Sequence, residues 1–219
     1  MKKLILLIFI ISGIFLQAMS LQQAYELAQS QGIYDRYLIL ETGVIYTGGL
    51  LIGKTLNPLS NTLEGQEGEN VFIDGNGAIL DLQQTELTIS YCQNRLDIQD
   101  CIIINGDVHF RGESQLFQAK PEGSISYCTF YNNDDYGFRF MGTGDGVELN
   151  HNIFADALET GDDYTYLTGF SMEWIPTGIN VAISGQGGYP DIHDNWSWFS
   201  DEETNQDSLF HFAVLCDYG

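Results

Sequence analysis

The pattern of apolar and polar positions along this chain changes twice. Leu4 to Leu16 is an apolar run broken only by Ser12 and Gly13, behind Met1-Lys2-Lys3 and ahead of the small residues Ala18 and Ser20. Basic start, apolar core and small residues in that order predict a secretory signal peptide over residues 1–20. A membrane span needs roughly 20 apolar residues, and this run has about 13. From Ser20 to Gln31 the spacing turns helical, with Leu21, Ala24, Tyr25, Leu27 and Ala28 three to four apart. Ser20 with Gln23 fits a capping box, and Gly32 suits a stop, so the expected helix covers 21–31. Cleavage after Ala18 keeps that cap, whereas cleavage after Ser20 removes it.

From Tyr37 the pattern becomes short β-type runs separated by glycine or polar corners: Tyr37–Leu40, Val44–Tyr46, Leu50–Ile52 and Val71–Asp81. A loose repeat follows. Ile98-Gln99-Asp100-Cys101-Ile102-Ile103-Ile104-Asn105 resembles Ile125-Ser126-Tyr127-Cys128-Thr129-Phe130-Tyr131-Asn132, and both resemble Leu149-Asn150-His151-Asn152-Ile153-Phe154-Ala155-Asp156. The three copies recur at a period of about 25 residues, within the range of solenoid repeats. A weaker copy at Ile192-His193-Asp194-Asn195 begins close to two periods further on. Several short strands and no helix per period predict stacked turns of a parallel β-helix, each burying the apolar face of its neighbour. Positions 1 and 6 of the repeat are expected to point inward. Position 4 (Cys101, Cys128, Asn152, Asn195) is expected to stack at a bend, where inward Asn residues satisfy one another.

The opening from Leu21 through Gly43–Ile52, the Val71–Asp81 turn and the Ile-x-x-Cys/Asn repeats together resemble right-handed parallel β-helix proteins of the pectin-lyase-like superfamily. The resemblance covers Leu21 to Asp156 and, more faintly, continues to Ser200. It implies an all-β solenoid over 21–219, with a capping helix at 21–31 and coils over 37–219. It does not imply one function, because such folds include polysaccharide lyases, glycoside hydrolases, epimerases, adhesins and phage tailspikes. A β-sandwich or β-propeller is the competing architecture, for which hairpin turn signals are lacking. Leu209–Cys216 is strand-like and the sequence stops soon afterwards, so a continuation of the chain beyond residue 219, or a partner pairing with that end, is expected.

Charge narrows the partners. The 219 residues hold 30 acids and 8 bases, a formal −22. Without Lys2 and Lys3, six bases face the same 30 acids, and none lies beyond Arg139. A surface this negative disfavours nucleic acid. Self-repulsion in the segment after Arg139 calls for solvent, salt or bound cations. Oxygen-rich groups in glycine loops suit Ca²⁺, and the candidates are Asp134, Asp135, Asp145, Glu159, Asp162 and Asp163. They match neither an EF-hand nor a Gly-Gly-x-Gly-x-Asp repeat. Solvated loop acids are the plainer alternative.

Of the four cysteines, Cys101 and Cys128 share a repeat position, where two buried thiols in a ladder are expected rather than a disulfide. His109, His151, His193 and His211 have no metal spacing and are expected to be structural or solvent-facing. Val108–Arg111 and Phe138–Phe140 read as strands with Phe inward and Arg outward. Arg111 and Arg139 are about one turn apart and are expected on one external groove, with Asp162 and Asp163 a further turn away. Arginines beside acids on such a face resemble the pectate-lyase arrangement, which implies Ca²⁺ and Arg neutralising a uronate carboxylate during proton removal. Solvated arginines balancing nearby acids are the alternative. Gly161-Asp162-Asp163 matches one polygalacturonase element, but its partner motifs are missing. Trp174, Trp196 and Trp198 are candidates for stacking on sugar faces or for core filling.

The expected protein is an exported β-helix, secreted, cell-surface or periplasmic, binding polysaccharide or a cell-surface ligand along its β faces. A polysaccharide lyase or glycoside hydrolase is the catalytic alternative.

Overall fold

The computed structural model of the protein describes residues 18–112, 119–132, 137–141, 146–155, 165–168, 171–174, 181–184, 191–198 and 212–215. Among the described residues the structure is all-β apart from one helix, Leu21–Leu27. Ser20 caps that helix as its spacing predicts: the Ser20 hydroxyl accepts from the Gln23 backbone N–H at 3.0 Å, and the Gln23 side chain accepts from the Ser20 N–H at 3.4 Å. The helix stops at Leu27, short of the expected Gln31. Ala28 turns extended, and Gln29–Gln31 pairs antiparallel with Tyr34–Ile39. Gly32, at φ +62°, therefore serves a hairpin turn rather than a helix stop. Met19–Ser20 pairs with Tyr46–Thr47, so strand pairing begins ahead of the helix.

Parallel strands follow one another in chain order along three ladders. One runs through Tyr34–Ile39, Val71–Asp74, Arg95–Gln99, Glu122–Ser126, Val147–Asn150 and Asp191–His193. A second runs through Ile45–Thr47, the start of Ile79–Ser90, the start of Ile102–Arg111, Thr129–Tyr131, Ile153–Ala155 and Trp196–Trp198. The two long strands carry a third on their later halves, with Leu50–Asn57, Phe138–Met141, Val181–Ser184 and Phe212–Leu215. The register between the long strands shifts between Ile104 and Gly106.

Alternation decides which side chains meet. Leu38, Ile73, Ile98, Ile125 and Leu149 form one buried column, and Leu80, Ile103, Phe130 and Phe154 another. Positions 1 and 6 of the repeat are thus inward, as the pattern predicts. Phe130 and Phe154 lie with ring centroids 4.6 Å apart and planes within 4°. Phe110, Phe138 and Phe140 on the third ladder are also fully buried.

From Arg95–Gln99 onward, the first ladder passes to the second through a bend with one left-handed residue. Asp100, Tyr127, His151 and Asp194 all have φ of +53° to +55°. The next residue turns inward, so position 4 stacks as expected. The Cys101 carbonyl accepts from Thr129 N–H and the Cys128 carbonyl from Ile153 N–H, each at 2.9 Å. Cys101 and Cys128 are buried free thiols, and their mutual contact, with burial, pushes the Cys101 thiol up. Asn152 is fully buried, and its side-chain oxygen accepts from Cys128 N–H at 2.9 Å.

Two features depart from the spacing. Leu149 pairs directly with Ile192, so the stretch between them is one enlarged pass, not two. That interval contains an antiparallel pair, Thr165–Thr168 with Ser171–Trp174. A second hairpin, Leu50–Asn57 with Thr62–Gly65, extends from the third ladder. The first pair forms a sheet of its own and the second shares only Leu50–Asn57 with the ladders, so the repeat spacing alone does not show them.

Candidate functional site

The left-handed bends form a ridge, and a groove lies beside it. Its volume is about 540 Å³, and Asp74, Asn76, Gln99, Asp100, Tyr127 and Thr129 line it. Ladder pairing brings these residues together from three successive passes. Asp74 aligns with Gln99, and Gln99 with Ser126 just ahead of Tyr127. Tyr127 is 60% exposed, and its ring stacks on His151 with centroids 4.9 Å apart and planes 22° apart. A left-handed backbone suits Asp and Asn but disfavours a bulky ring. Tyr127 holds that conformation and projects an aromatic face beside two carboxylates and two amides. Apolar exposure continues onto the adjoining strands, where Ile102, Tyr131 and Ile153 are also exposed. Trp196 and Trp198 pair with Ile153 and Ala155 on the same ladder.

A second polar group sits on the third ladder. Thr88, His109 and Arg139 occupy one register row, and Ser90, Arg111 and Met141 the row two positions on. Arg139 is therefore opposite His109 and Arg111 opposite Met141, which leaves the two arginines on adjacent paired strands. Arg111 lies diagonally one row away. Arg111 Nη2 lies 3.2 Å from His109 Nδ1. Glu86 Oε2 lies 3.6 Å from His109 Nδ1 and 3.7 Å from Arg111 Nη2, and accepts from the Thr88 hydroxyl at 3.0 Å. The His109 contact, with Thr88 and the Arg111 charge, holds the Glu86 carboxyl at about 2.

His109 has no exposed surface, and burial pushes its pKa below the ordinary value despite Glu86. Its Nε2, the Ser90 hydroxyl and Arg111 Nε are buried without a hydrogen-bond partner. Of the two expected locations for the histidines, His109 takes the buried one, while His151 and His193 are exposed. His109 joins Arg111 to Glu86, a role its lack of metal spacing does not suggest.

Asp134, Asp135, Asp145, Glu159, Asp162 and Asp163 lie outside the described residues, as does His211. Trp174 lies in the Ser171–Trp174 strand of the inserted hairpin, a different sheet from the ladder of Trp196 and Trp198. Among the described residues no group of three His, Cys, Asp or Glu side chains is placed to hold a metal ion. Other basic groups are committed locally: Arg36 to Glu69, Lys54 to Glu67 and Arg95 to Asp97.

Sequence reasoning does not single out the groove residues. Their one signal is the third repeat position, which reads Asp100, Tyr127, His151, Asp194 and so places one bulky ring at a bend that favours Asp or Asn.

The chain matches no protein-family model, none of the curated proteins and no solved structure.

Proposed function

We propose that this chain is an exported right-handed parallel β-helix, of the pectin-lyase-like kind, that binds polysaccharide along its lateral surface. Three parallel ladders in chain order, with a Cys/Asn column at a shared bend, support the solenoid. The basic start and apolar run before Ala18 support export. The observation that carries the binding role is the groove under Tyr127. An exposed ring beside Asp74, Asn76, Gln99 and Asp100 offers a stacking surface for the C–H face of a pyranose and hydrogen-bonding groups for its hydroxyls.

A second reading is a polysaccharide lyase or glycoside hydrolase, favoured by the grouping of Arg111 and Arg139 around His109 and Glu86. Ca²⁺ belongs to this reading, with Asp162 and Asp163 as its proposed neighbours. The complete burial of His109 argues for the binding role, since that imidazole offers no surface to a polymer.

The test is incubation with acidic and neutral polysaccharides, with Ca²⁺ and with EDTA, following unsaturated products, reducing ends and retention on the polymers. Retention without degradation is the expected result. Calcium-dependent unsaturated product lost in Arg139→Ala would establish a lyase instead, and reducing ends without unsaturation a hydrolase.

A further inference from the structure

We infer that the Tyr127 groove selects neutral or amino-substituted glycans and turns uronate-bearing ones away. The inference rests on the polysaccharide-binding reading and adds the chemical class of the ligand.

The first ground is the sign of the groove. Asp74 and Asp100 are its carboxylates, and among the described residues that line it none is Lys, Arg or His. A uronate carboxylate bound there would lie within a few ångströms of two like charges, inside the roughly 8 Å over which physiological salt leaves charges unscreened. The chain's formal −22 adds to that repulsion at longer range. Carboxylates are acceptors only, so the groups they hold best are donors: vicinal hydroxyls, or the ammonium of an amino sugar. Asn76 and Gln99 each donate and accept, matching a hydroxyl in either role.

The second ground is the ring. His151 backs one face of Tyr127, which leaves the other to the groove. A ring supported from behind and fixed at its Cα by a left-handed bend (φ +55°) loses little freedom when a sugar stacks on it. The bends on either side carry Asp100 and His151, both residue types that tolerate this conformation, so the aromatic is the exception along the ridge.

The experiment is affinity electrophoresis of the full exported chain through gels holding galactomannan, glucosamine oligomers or polygalacturonate, all with EDTA to remove bridging cations. Galactomannan or glucosamine oligomers are expected to retard the protein and polygalacturonate is not. Tyr127→Asn is expected to weaken retention about tenfold. Asn is at ease in the left-handed region, so this variant removes the ring without straining the fold and should melt within a few degrees of the parent. Asp74→Asn with Asp100→Asn is expected to gain retention by polygalacturonate. Retardation by polygalacturonate alone overturns the selectivity and leaves polysaccharide binding standing. Retardation by none of the polymers overturns both. Full retention by Tyr127→Asn overturns the groove as the site.

Discussion

Asn152 donates from its side-chain amide to the side-chain oxygen of Asn195 at 3.0 Å, although the two are 43 positions apart in the chain. The same amide donates to the Ile125 carbonyl at 2.9 Å, while its oxygen accepts from Cys128 N–H at 2.9 Å. One buried side chain thus serves backbone groups of the preceding pass and the side chain of the next. Replacing it by alanine leaves an N–H and a carbonyl buried without partners. Asn152→Ala is expected to cost about 2–4 kcal/mol. A fall in the urea midpoint with an unchanged slope is the expected signature, and a midpoint like the parent's would mean that water enters the column.

Phe154 tests the apolar column in the same way. It stacks on Phe130, and a methyl group added at Gly137 would press against its ring. Phe154→Ala is expected to cost about 3–5 kcal/mol, the range for emptying a buried aromatic site. Phe154→Leu should recover more than half of that loss, because the column needs volume more than aromaticity. Equal losses in both variants would point to the stack itself as the stabilising element.

How much of this is legible in the sequence depends on whether the signal is local. Ile98, Ile125 and Leu149 announce their inward column by recurring once per pass, and Cys101, Cys128 and Asn152 announce theirs beside it. The enlarged pass before Ile192 escapes a sequence reading because nothing local distinguishes an inserted hairpin from a degraded repeat. Sequence spacing brings Arg111 and Arg139 onto neighbouring strands but does not show that His109 lies opposite Arg139, because a strand register is exact to a single position whereas loop lengths between strands vary. The groove of Asp74, Asp100 and Tyr127 is invisible for a related reason: these residues are about one pass apart and lie together only once three passes are aligned.

At the amino-terminal end, Ser20 links two expectations. It caps Leu21–Leu27 and also belongs to the Met19–Ser20 strand paired with Tyr46–Thr47. Arg36 and the Tyr25 hydroxyl both bind Glu69, fastening the helix to the following strands. Ser20→Ala is therefore expected to cost about 1 kcal/mol through loss of the cap. Under the proposed export, mass spectrometry of the mature chain should give Met19 as its first residue, the cut that preserves both strand and cap. A mature chain starting at Leu21 would lack both, and Ser20→Ala would then leave exported protein unaffected.

The Glu86–His109–Arg111 group predicts how stability changes with pH. The groups facing His109 are Glu86, Thr88, Arg111 and Arg139. Burial lowers the folded pKa of His109 below its ordinary 6.5, so between those values the unfolded chain binds more protons and stability falls as pH falls. Glu86 is held at about 2 against an ordinary 4.5, so its stabilisation is complete above 4.5 and is lost as pH drops towards 2. Both losses run in the same direction but occupy different windows. Acidification also relieves repulsion among the 30 acids, which acts oppositely, so differences between parent and variant isolate the site. The parent-minus-His109→Gln difference in denaturant midpoint should shrink as pH is lowered from about 6.5. The parent-minus-Glu86→Gln difference should hold steady to about pH 4.5 and shrink below it. A His109→Gln difference constant from about pH 8 to about pH 5 would mean that the imidazole is hydrated and protonates freely, and the third ladder would then be open to solvent at that row.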